Sequence, residues 1–244
     1  MRHAKRSIMV DDSRVIAVDQ GTGSTRSVSI WANGNLAREH QVILGLTSPK
    51  PGWVEQDPSE LLDTVVTVLK RAVARGSGPV AAVGLSNQRE SALVWDAATG
   101  EPAGPMLGWQ DRRTSSRAIE LRASAGKRVR ELSGLPLDPM FSALKMQWLL
   151  DQVDPDRARS SRGELRVGTV DSWLVKRLTD EDRIEVGNAS RTQLLNIRSA
   201  DWDDELLEIF DIPRAALPPV VPSDEPTRPI QRLGDDLDGI RICG

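Results

Sequence analysis

The feature that most restricts the fold is a glycine-containing turn between two different strand patterns near the start of the chain. Residues 15–18 form a short apolar run, which is typical of a buried strand, whereas residues 26–31 alternate polar and apolar side chains. The turn that joins them, residues 19–26, reads Asp-Gln-Gly-Thr-Gly-Ser-Thr-Arg. A second turn, Asn-Gly-Asn at 33–35, precedes another extended stretch that reaches Leu46. The chain is therefore predicted to open with three antiparallel strands.

The first turn offers backbone N–H groups and hydroxyl groups to an anion. Thr22, Ser24 and Thr25 supply the hydroxyl donors, and a nest of this kind suits a phosphate group. The dinucleotide-binding fingerprint does not fit, because Arg26 stands where its third glycine belongs and a strand follows where it requires a helix. A P-loop does not fit either, since the turn lacks a Gly-Lys-Ser/Thr sequence. A hairpin with a polar tip that binds nothing remains compatible with the same residues.

Two charged residues flank this turn. A carboxylate at the end of a buried strand, beside a phosphate site, is well placed to hold a hydrated Mg²⁺ ion, and Asp19 is such a residue. The alternative is that Asp19 only caps the turn. Arg26 can neutralise a phosphate, or it can be a solvated residue of the second strand.

Helices and further strands are predicted after the third strand. Asp57 and Pro58 indicate a helix start, because Asp57 can accept from free N–H groups and Pro58 suits the first helical position. The Gly-Ser-Gly sequence at 76–78 stops that helix. The other predicted elements are a strand at 80–85, helices at 113–123, 141–150 and 172–178, and a strand near 239–244. An α/β fold with a mixed sheet is therefore expected.

Composition excludes several classes of protein. The single cysteine, Cys243, excludes an internal disulfide or a cysteine zinc cluster and indicates a reducing, cytoplasmic compartment. Only His3 and His40 could serve a histidine metal site, and they are far apart in the sequence. The net charge of -3 gives no general attraction to nucleic acid or anionic membranes, and no apolar run approaches the roughly 20 residues of a membrane span. Residues 1–13 are expected to form a flexible polar tail.

Seven segments, in order, resemble the FGGY family of carbohydrate kinases, and within it the glycerol kinases most of all. They read IAVDQGT (16–22), PGWVEQDP (51–58), GLSNQRE (84–90), WQDRR (109–113), GTVDSWL (168–174), NASRT (188–192) and DWD (201–203). The resemblance implies an actin-like ATPase fold of the ribonuclease H type, with two such domains and an active site in the cleft between them. Residues 14–244 would then be the N-terminal kinase domain, and the C-terminal domain is absent from this chain.

The resemblance also implies a reaction and its cofactors, namely phosphoryl transfer from ATP to glycerol with Mg²⁺. Thr22, Gly23, Ser24 and Arg26 match the family's nucleotide-phosphate contacts. Asp19 matches the acidic residue near Mg²⁺. The resemblance further suggests a homo-oligomer for the full-length protein.

The polyol contacts are expected from two other segments. Arg89 and Glu90 match a pair that binds the hydroxyl groups; arginine only donates and an ionised glutamate only accepts, so together they fix two faces of a polyol. Trp109 matches an aromatic wall against the carbon backbone of glycerol. The residue types alone are equally compatible with a local Arg89–Glu90 surface pair and with a core tryptophan. Arg112 and Arg113 are interpreted as a solvated helix start.

The chain departs from the family pattern at three places. Met140 stands where glycerol kinases carry a tyrosine, and a lost hydroxyl contact costs roughly 0.5–1.5 kcal/mol, which leaves another polyol or sugar open as the substrate. Gly23 stands where a threonine is common. The family's proton-accepting Asp is expected just after Gly244, so the chain alone is expected to be inactive. A non-catalytic half-kinase that binds a polyol is a further alternative.

Overall fold

The structure is a computed structural model that describes residues 12–234 and 236–243. The predicted tail at 1–13 therefore lies almost wholly outside the described residues, as do His3 and Gly244. The strands are β1 (Arg14–Gln20), β2 (Ser24–Trp31), β3 (Leu36–Ile43), β4 (Glu55–Gln56), β5 (Val80–Asn87), β6 (Leu93–Asp96), β7 (Met106–Leu107), β8 (Leu165–Gly168), β9 (Ile184–Glu185), β10 (Leu195–Asn196), β11 (Asp201–Trp202), β12 (Val220–Val221) and β13 (Ile242–Cys243). The helices are α1 (Pro58–Arg75), α2 (Ser115–Ser133), α3 (Ser142–Val153), α4 (Ala158–Ser161), α5 (Val170–Thr179), α6 (Val186–Ala189) and α7 (Asp204–Ile209), with a 3₁₀ turn at Arg214–Ala216.

Five strands form one mixed sheet in the order β13-β5-β1-β2-β3. β1 pairs antiparallel with β2, and β2 with β3, so the predicted antiparallel opening is confirmed. β5 runs parallel to β1, and β13 runs parallel to β5 at the edge of the sheet, which confirms the strand predicted near the end of the chain. The remaining strands form short two-stranded ladders outside this sheet.

Helix α1 covers one face of the sheet. It begins as predicted, with Asp57 accepting a hydrogen bond at the N-terminus and Pro58 in the first turn. Leu61 on the helix and Ile16 on β1 are fully buried in the same apolar cluster, whereas Val15, on the opposite face of β1, is 38% exposed. Since side chains alternate along a strand, the other β1 residues on the same face as Val15 also point away from α1.

The end of α1 is determined by a buried arginine. Arg14 donates to the hydroxyl of Ser29 at 2.8 Å and to the carbonyl of Ala72 at 2.9 Å. A Cβ atom at Gly76 would lie 2.2 Å from the Arg14 guanidinium carbon. The predicted helix stop is therefore confirmed, but glycine is required there for space, because its φ of -85° is one that any residue adopts.

Helices α2 and α3 contribute to a second apolar cluster, which lies beside the β6–β8 ladder, whereas α5 packs into the cluster of Ile16 and Leu61. Helices α3 and α5 lie close to the ranges predicted for them. The helix predicted at 113–123 is displaced and too short, since α2 continues to Ser133 and ends at Gly134 in the left-handed region (φ 74°). Its buried residues are few and widely spaced, so the sequence shows no continuous apolar stripe there. Within the described ranges, every helix is too short or too polar to cross a membrane.

Candidate functional site

The turn between β1 and β2 has a fixed geometry. The N–H of Gly21 donates to the carbonyl of Ser24 at 2.9 Å, which closes the turn. The N–H of Leu44 donates to the carbonyl of Gly23 at 3.1 Å and ties the turn to the segment that follows β3. The predicted phosphate residues therefore lie on a braced hairpin, at the end of the main sheet where β1 finishes.

Asp19 and Arg26 occupy directly opposed positions in the β1–β2 pair. Both are exposed and lie on the face of the sheet that α1 leaves uncovered. Thr25 lies on the other face: it is fully buried, and its hydroxyl shares a 2.6 Å hydrogen bond with Thr64 of α1. The prediction that Thr25 supplies a hydroxyl to the phosphate nest is therefore wrong, because strand alternation turns it into the core.

Buried glutamines connect this turn to the end of β5. Gln56 donates from Nε2 to the carbonyl of Thr22 at 2.8 Å, and Gln88 donates from Nε2 to Oε1 of Gln56 at 2.9 Å. The backbone N–H of Gln88 also donates to the carbonyl of Gln20 at 2.7 Å. Because Arg89 directly follows Gln88, the predicted polyol residues begin at the same end of the sheet as the predicted phosphate turn.

Glu90 is held from two sides. Arg191 donates from Nε to Oε1 of Glu90 at 2.7 Å, and the hydroxyl of Ser142 donates to the Glu90 carbonyl at 3.1 Å. The Glu90 side chain is only 13% exposed, whereas Arg89 is exposed. The alternative of a local Arg89–Glu90 surface pair is therefore wrong. Arg191 lies in the family segment NASRT (188–192). No pattern in the sequence links it to Glu90, which lies 101 residues earlier.

Trp109 joins the two groups of residues directly. Its indole Nε1 donates to Oγ1 of Thr22 at 3.0 Å, although 87 residues separate them in the sequence. Trp109 is 37% exposed, so it is not the plain core residue that its type also allowed. An exposed indole beside the turn offers an apolar face to the carbon backbone of a small alcohol while its N–H stays satisfied.

Met140 lies in a loop that a buried lysine holds. Lys145 donates from Nζ to the consecutive carbonyls of Pro139 (3.0 Å), Met140 and Phe141 (3.1 Å). Burial, which strips water from the ammonium, lowers the pKa of Lys145 to about 7, although nearby carboxylates oppose the shift. Ser142, which contacts Glu90, follows two residues after Met140, so this loop adjoins the Glu90 side of the site.

The segment after Trp109 is a buried ionic cluster. Asp111 is fully buried and accepts from Nε of Arg113 at 3.0 Å and from the N–H of Val54 at 2.6 Å. The Arg113 side chain is 1% exposed, and its guanidinium lies 3.7 Å from the ring centroid of Trp53. The prediction of a solvated helix start is therefore wrong for Arg113. Arg112 is solvated as predicted, with a side chain 51% exposed, but α2 begins only at Ser115.

The residues present fit a weakly held magnesium ion. Mg²⁺ usually keeps several waters and takes one or two carboxylates together with substrate phosphates. Asp19 offers one exposed carboxylate next to the turn. Among the described residues, no group of three or more His, Cys, Asp or Glu side chains could cage a metal ion. The arrangement is thus suited to an ion that arrives with the phosphates.

Comparison with known proteins identifies the family. Residues 14–241 match the family described as "FGGY family of carbohydrate kinases, N-terminal domain". The chain belongs to this family. The seven FGGY-like segments of the sequence all fall within the matched range.

Individual FGGY relatives agree with this assignment. Glycerol kinase of Deinococcus radiodurans is 43% identical over 222 residues, covering 89% of this chain and 44% of the relative. Glycerol kinase 1 of Pseudomonas aeruginosa is 46% identical over 213 residues, covering 85% and 43%. The crystal structure of Plasmodium falciparum glycerol kinase with ADP has a TM-score of 0.90 at 26% identity, covering 95% of this chain and 48% of that one. The expected actin-like fold is confirmed, and the chain spans less than half the length of these relatives.

Proposed function

We propose that the chain forms the N-terminal domain of an ATP-dependent glycerol kinase, which converts glycerol and ATP to glycerol 3-phosphate and ADP. The observation that carries this proposal is the hydrogen bond between Trp109 and Thr22, because it joins the predicted polyol wall to the predicted phosphate turn. Membership of the FGGY family and the similarity to glycerol kinases support it.

On the nucleotide side, Thr22, Gly23, Ser24 and Arg26 contact the phosphates of ATP. The hydroxyl groups and backbone N–H groups donate to phosphate oxygens, and the Arg26 guanidinium offsets their charge. Asp19 would hold a hydrated Mg²⁺ ion, which would supply positive charge beside the transferred phosphoryl group.

On the polyol side, Arg89 donates to a hydroxyl group of the substrate and Glu90 accepts from one. Trp109 packs against the carbon backbone, and Met140 lines the same region without a polar contact. Phosphoryl transfer depends almost wholly on positioning and charge stabilisation. These residues therefore contribute by placing the attacking hydroxyl in line with the γ-phosphate.

The direct test is glycerol-dependent ADP formation by the product of the gene that encodes this chain, assayed with ATP and Mg²⁺. Trp109→Phe and Thr22→Val, which break one hydrogen bond from opposite ends, are expected to raise the KM for glycerol and the KM for ATP respectively, each several-fold. ADP formation that does not depend on any polyol would contradict the proposal.

A kinase of another polyol or sugar is the second candidate, and Met140 favours it. Because methionine cannot donate the hydrogen bond of a tyrosine, the site discriminates less between glycerol and larger polyols. Met140→Tyr should increase kcat/KM for glycerol several-fold if glycerol is the substrate, as expected for a hydrogen bond of about 0.5–1.5 kcal/mol. A panel of polyols and pentoses separates the two candidates, and polyol binding without ADP formation would indicate a non-catalytic half-kinase.

Finer properties of the protein belong to the same proposal. We infer a magnesium-dependent, cytoplasmic enzyme, because the carboxylate of Asp19 adjoins the phosphate turn and the sequence has one cysteine. We also infer no nucleic-acid or membrane partner, in keeping with the net charge of -3. A homo-oligomer is proposed for the full-length protein by its resemblance to the family.

A further inference from the structure

The carboxylate of Glu90 has an unusually constrained setting. Its backbone adopts φ 64°, in the left-handed region that residues with a Cβ rarely occupy. Such a conformation costs of order 1–3 kcal/mol and persists where surrounding contacts impose it. The Ser142 hydroxyl, which donates to the Glu90 carbonyl at 3.1 Å, is one of those contacts.

Arg191 determines the direction of the Glu90 side chain. Its Nε donates to Oε1 at 2.7 Å, and its guanidinium carbon lies 5.0 Å from the ring centroid of Phe141. An arginine held by both a carboxylate and an aromatic ring has little rotational freedom. The Glu90 carboxylate is consequently fixed at one oxygen. Within the described part of the chain, its other oxygen, Oε2, has no hydrogen-bond donor.

The segment that carries Arg191 is itself anchored to the strand that carries Glu90. Asn188 of α6 and Asn87 at the end of β5 exchange side-chain amide hydrogen bonds of 3.1 and 3.2 Å. Glu185 caps α6 by accepting from the N–H groups of Gly187 and Asn188. Arg191 therefore approaches Glu90 from a segment whose position relative to β5 is already set.

We propose that Arg191 is a positioning residue that orients the Glu90 carboxylate so that its second oxygen accepts a hydroxyl group of the substrate. This inference rests on the proposed function as a polyol kinase. It adds a residue outside the predicted polyol contacts. Arg191 acts through Glu90, so its removal affects the alcohol and leaves the nucleotide unaffected.

The test is steady-state kinetics of the gene product with Arg191→Ala, Arg191→Lys and a matched control, Arg128→Ala. Arg128 also pairs with a glutamate, Glu205, but it joins α2 to α7 on the exposed surface. Arg191→Ala is expected to raise the KM for glycerol about 10- to 100-fold, the penalty of a misplaced reactant, while the KM for ATP stays within about twofold. Arg191→Lys, which keeps the charge but not the planar fork, should lie between, and Arg128→Ala should match the wild type.

Two further readouts separate positioning from a structural role. In a cycle with Glu90→Gln, adding Arg191→Ala should cause less than about a threefold further loss, because the partner it orients is already altered. The preference for glycerol over 1,2- and 1,3-propanediol should also fall in Arg191→Ala, whereas a folding defect lowers all three rates equally. If Arg191→Ala does not fold, Arg191→Lys decides.

The outcomes also separate this inference from the proposed function. Wild-type kinase activity with an unchanged glycerol KM in Arg191→Ala, or additive losses in the cycle, would overturn the role of Arg191 and leave the proposed function standing. A wild-type protein that uses no polyol would overturn both.

Discussion

The two sides of the candidate site are held in different ways. On the nucleotide side, Asp19 and Arg26 are exposed on an uncovered sheet face, and Gly23 lies at an open turn. On the polyol side, Arg191 donates a hydrogen bond to Glu90, and Trp109 donates one to Thr22 of the turn. The difference teaches that Glu90 and Trp109 are ordered before a ligand arrives, whereas the exposed side chains of Asp19 and Arg26 are free to adjust to one although their turn is braced.

The polyol side is also supported by buried charge. Asp111 and Arg113 form an ion pair directly after Trp109, and Lys145 holds the loop that contains Met140. Removing one partner from such a group strongly lowers the stability of the fold, because a buried charge or carbonyl is left without a partner. The comparison therefore predicts large stability losses behind the polyol side and smaller, ligand-specific losses on the nucleotide side.

The largest effect is expected from Asp111→Asn. The amide would face the N–H donors of Arg113 and Val54, and the buried guanidinium would lose one of its two carboxylate partners. We expect a loss of about 3–5 kcal/mol in the free energy of unfolding, measured by urea denaturation. The control is Asp138→Asn, which affects the exposed pair with Arg112 and should cost less than about 1 kcal/mol. Equal losses in the two variants would contradict the distinction.

Lys145→Met should cost about 2–4 kcal/mol, because the carbonyls of Pro139, Met140 and Phe141 lose their donor. It should also change the pH dependence. The pKa of Lys145 is about 7 in the folded protein and 10.5 in the unfolded chain, so the unfolded chain binds the proton more tightly and wild-type stability rises between these pH values. Lys145→Met should lack that rise in stability. The control is Lys176→Met, which removes the lysine that pairs with the exposed Asp180 and should retain the rise.

A pair of variants tests whether the two sides are independent. Glu90→Gln should lower the affinity for glycerol about 10- to 100-fold, from the loss of a charge-assisted hydrogen bond, with little change for ATP. Arg26→Gln should do the reverse. Isothermal titration with each ligand separately measures both effects. A variant that weakens both ligands equally would show that the two sides are one coupled unit.

The smallest effect is expected from Gly23→Thr. Among the described residues, no atom lies within 4 Å of a Cβ placed at Gly23, and its φ is outside the left-handed region, so a side chain fits. The added hydroxyl should strengthen ATP binding by about 0.5–1.5 kcal/mol, or several-fold. At Gly78, where φ is 82°, an added Cβ would lie 2.1 Å from the Asp12 carbonyl oxygen. Gly78→Thr should therefore destabilise the fold and leave ATP affinity unchanged. Weaker ATP binding in Gly23→Thr would mean that the turn is already crowded by its ligand.

Local patterns predicted much of the architecture. The β1–β2–β3 meander follows from period-two alternation and turn residues, and α1 follows from its capping residues and apolar stripe. The sequence does not predict the full extent of α2, because the buried positions of this helix are sparse. The burial of Thr25 and Arg113 does not follow from their residue types, because hydroxyl and guanidinium groups usually face solvent. In this fold, Thr64 contacts Thr25 and Trp53 contacts Arg113.

The sequence by itself determined the family, through its ordered segments, and also the β1–β2–β3 opening and the start of α1, since these elements depend on neighbours close along the chain. Only the tertiary structure decided that Thr22 meets Trp109, that Arg191 orients Glu90 and that Gln88 connects through Gln56 to the turn. Those partners lie between 32 and 101 residues apart. A periodicity within one element carries no information about such distant contacts, because they arise only when separate elements pack together.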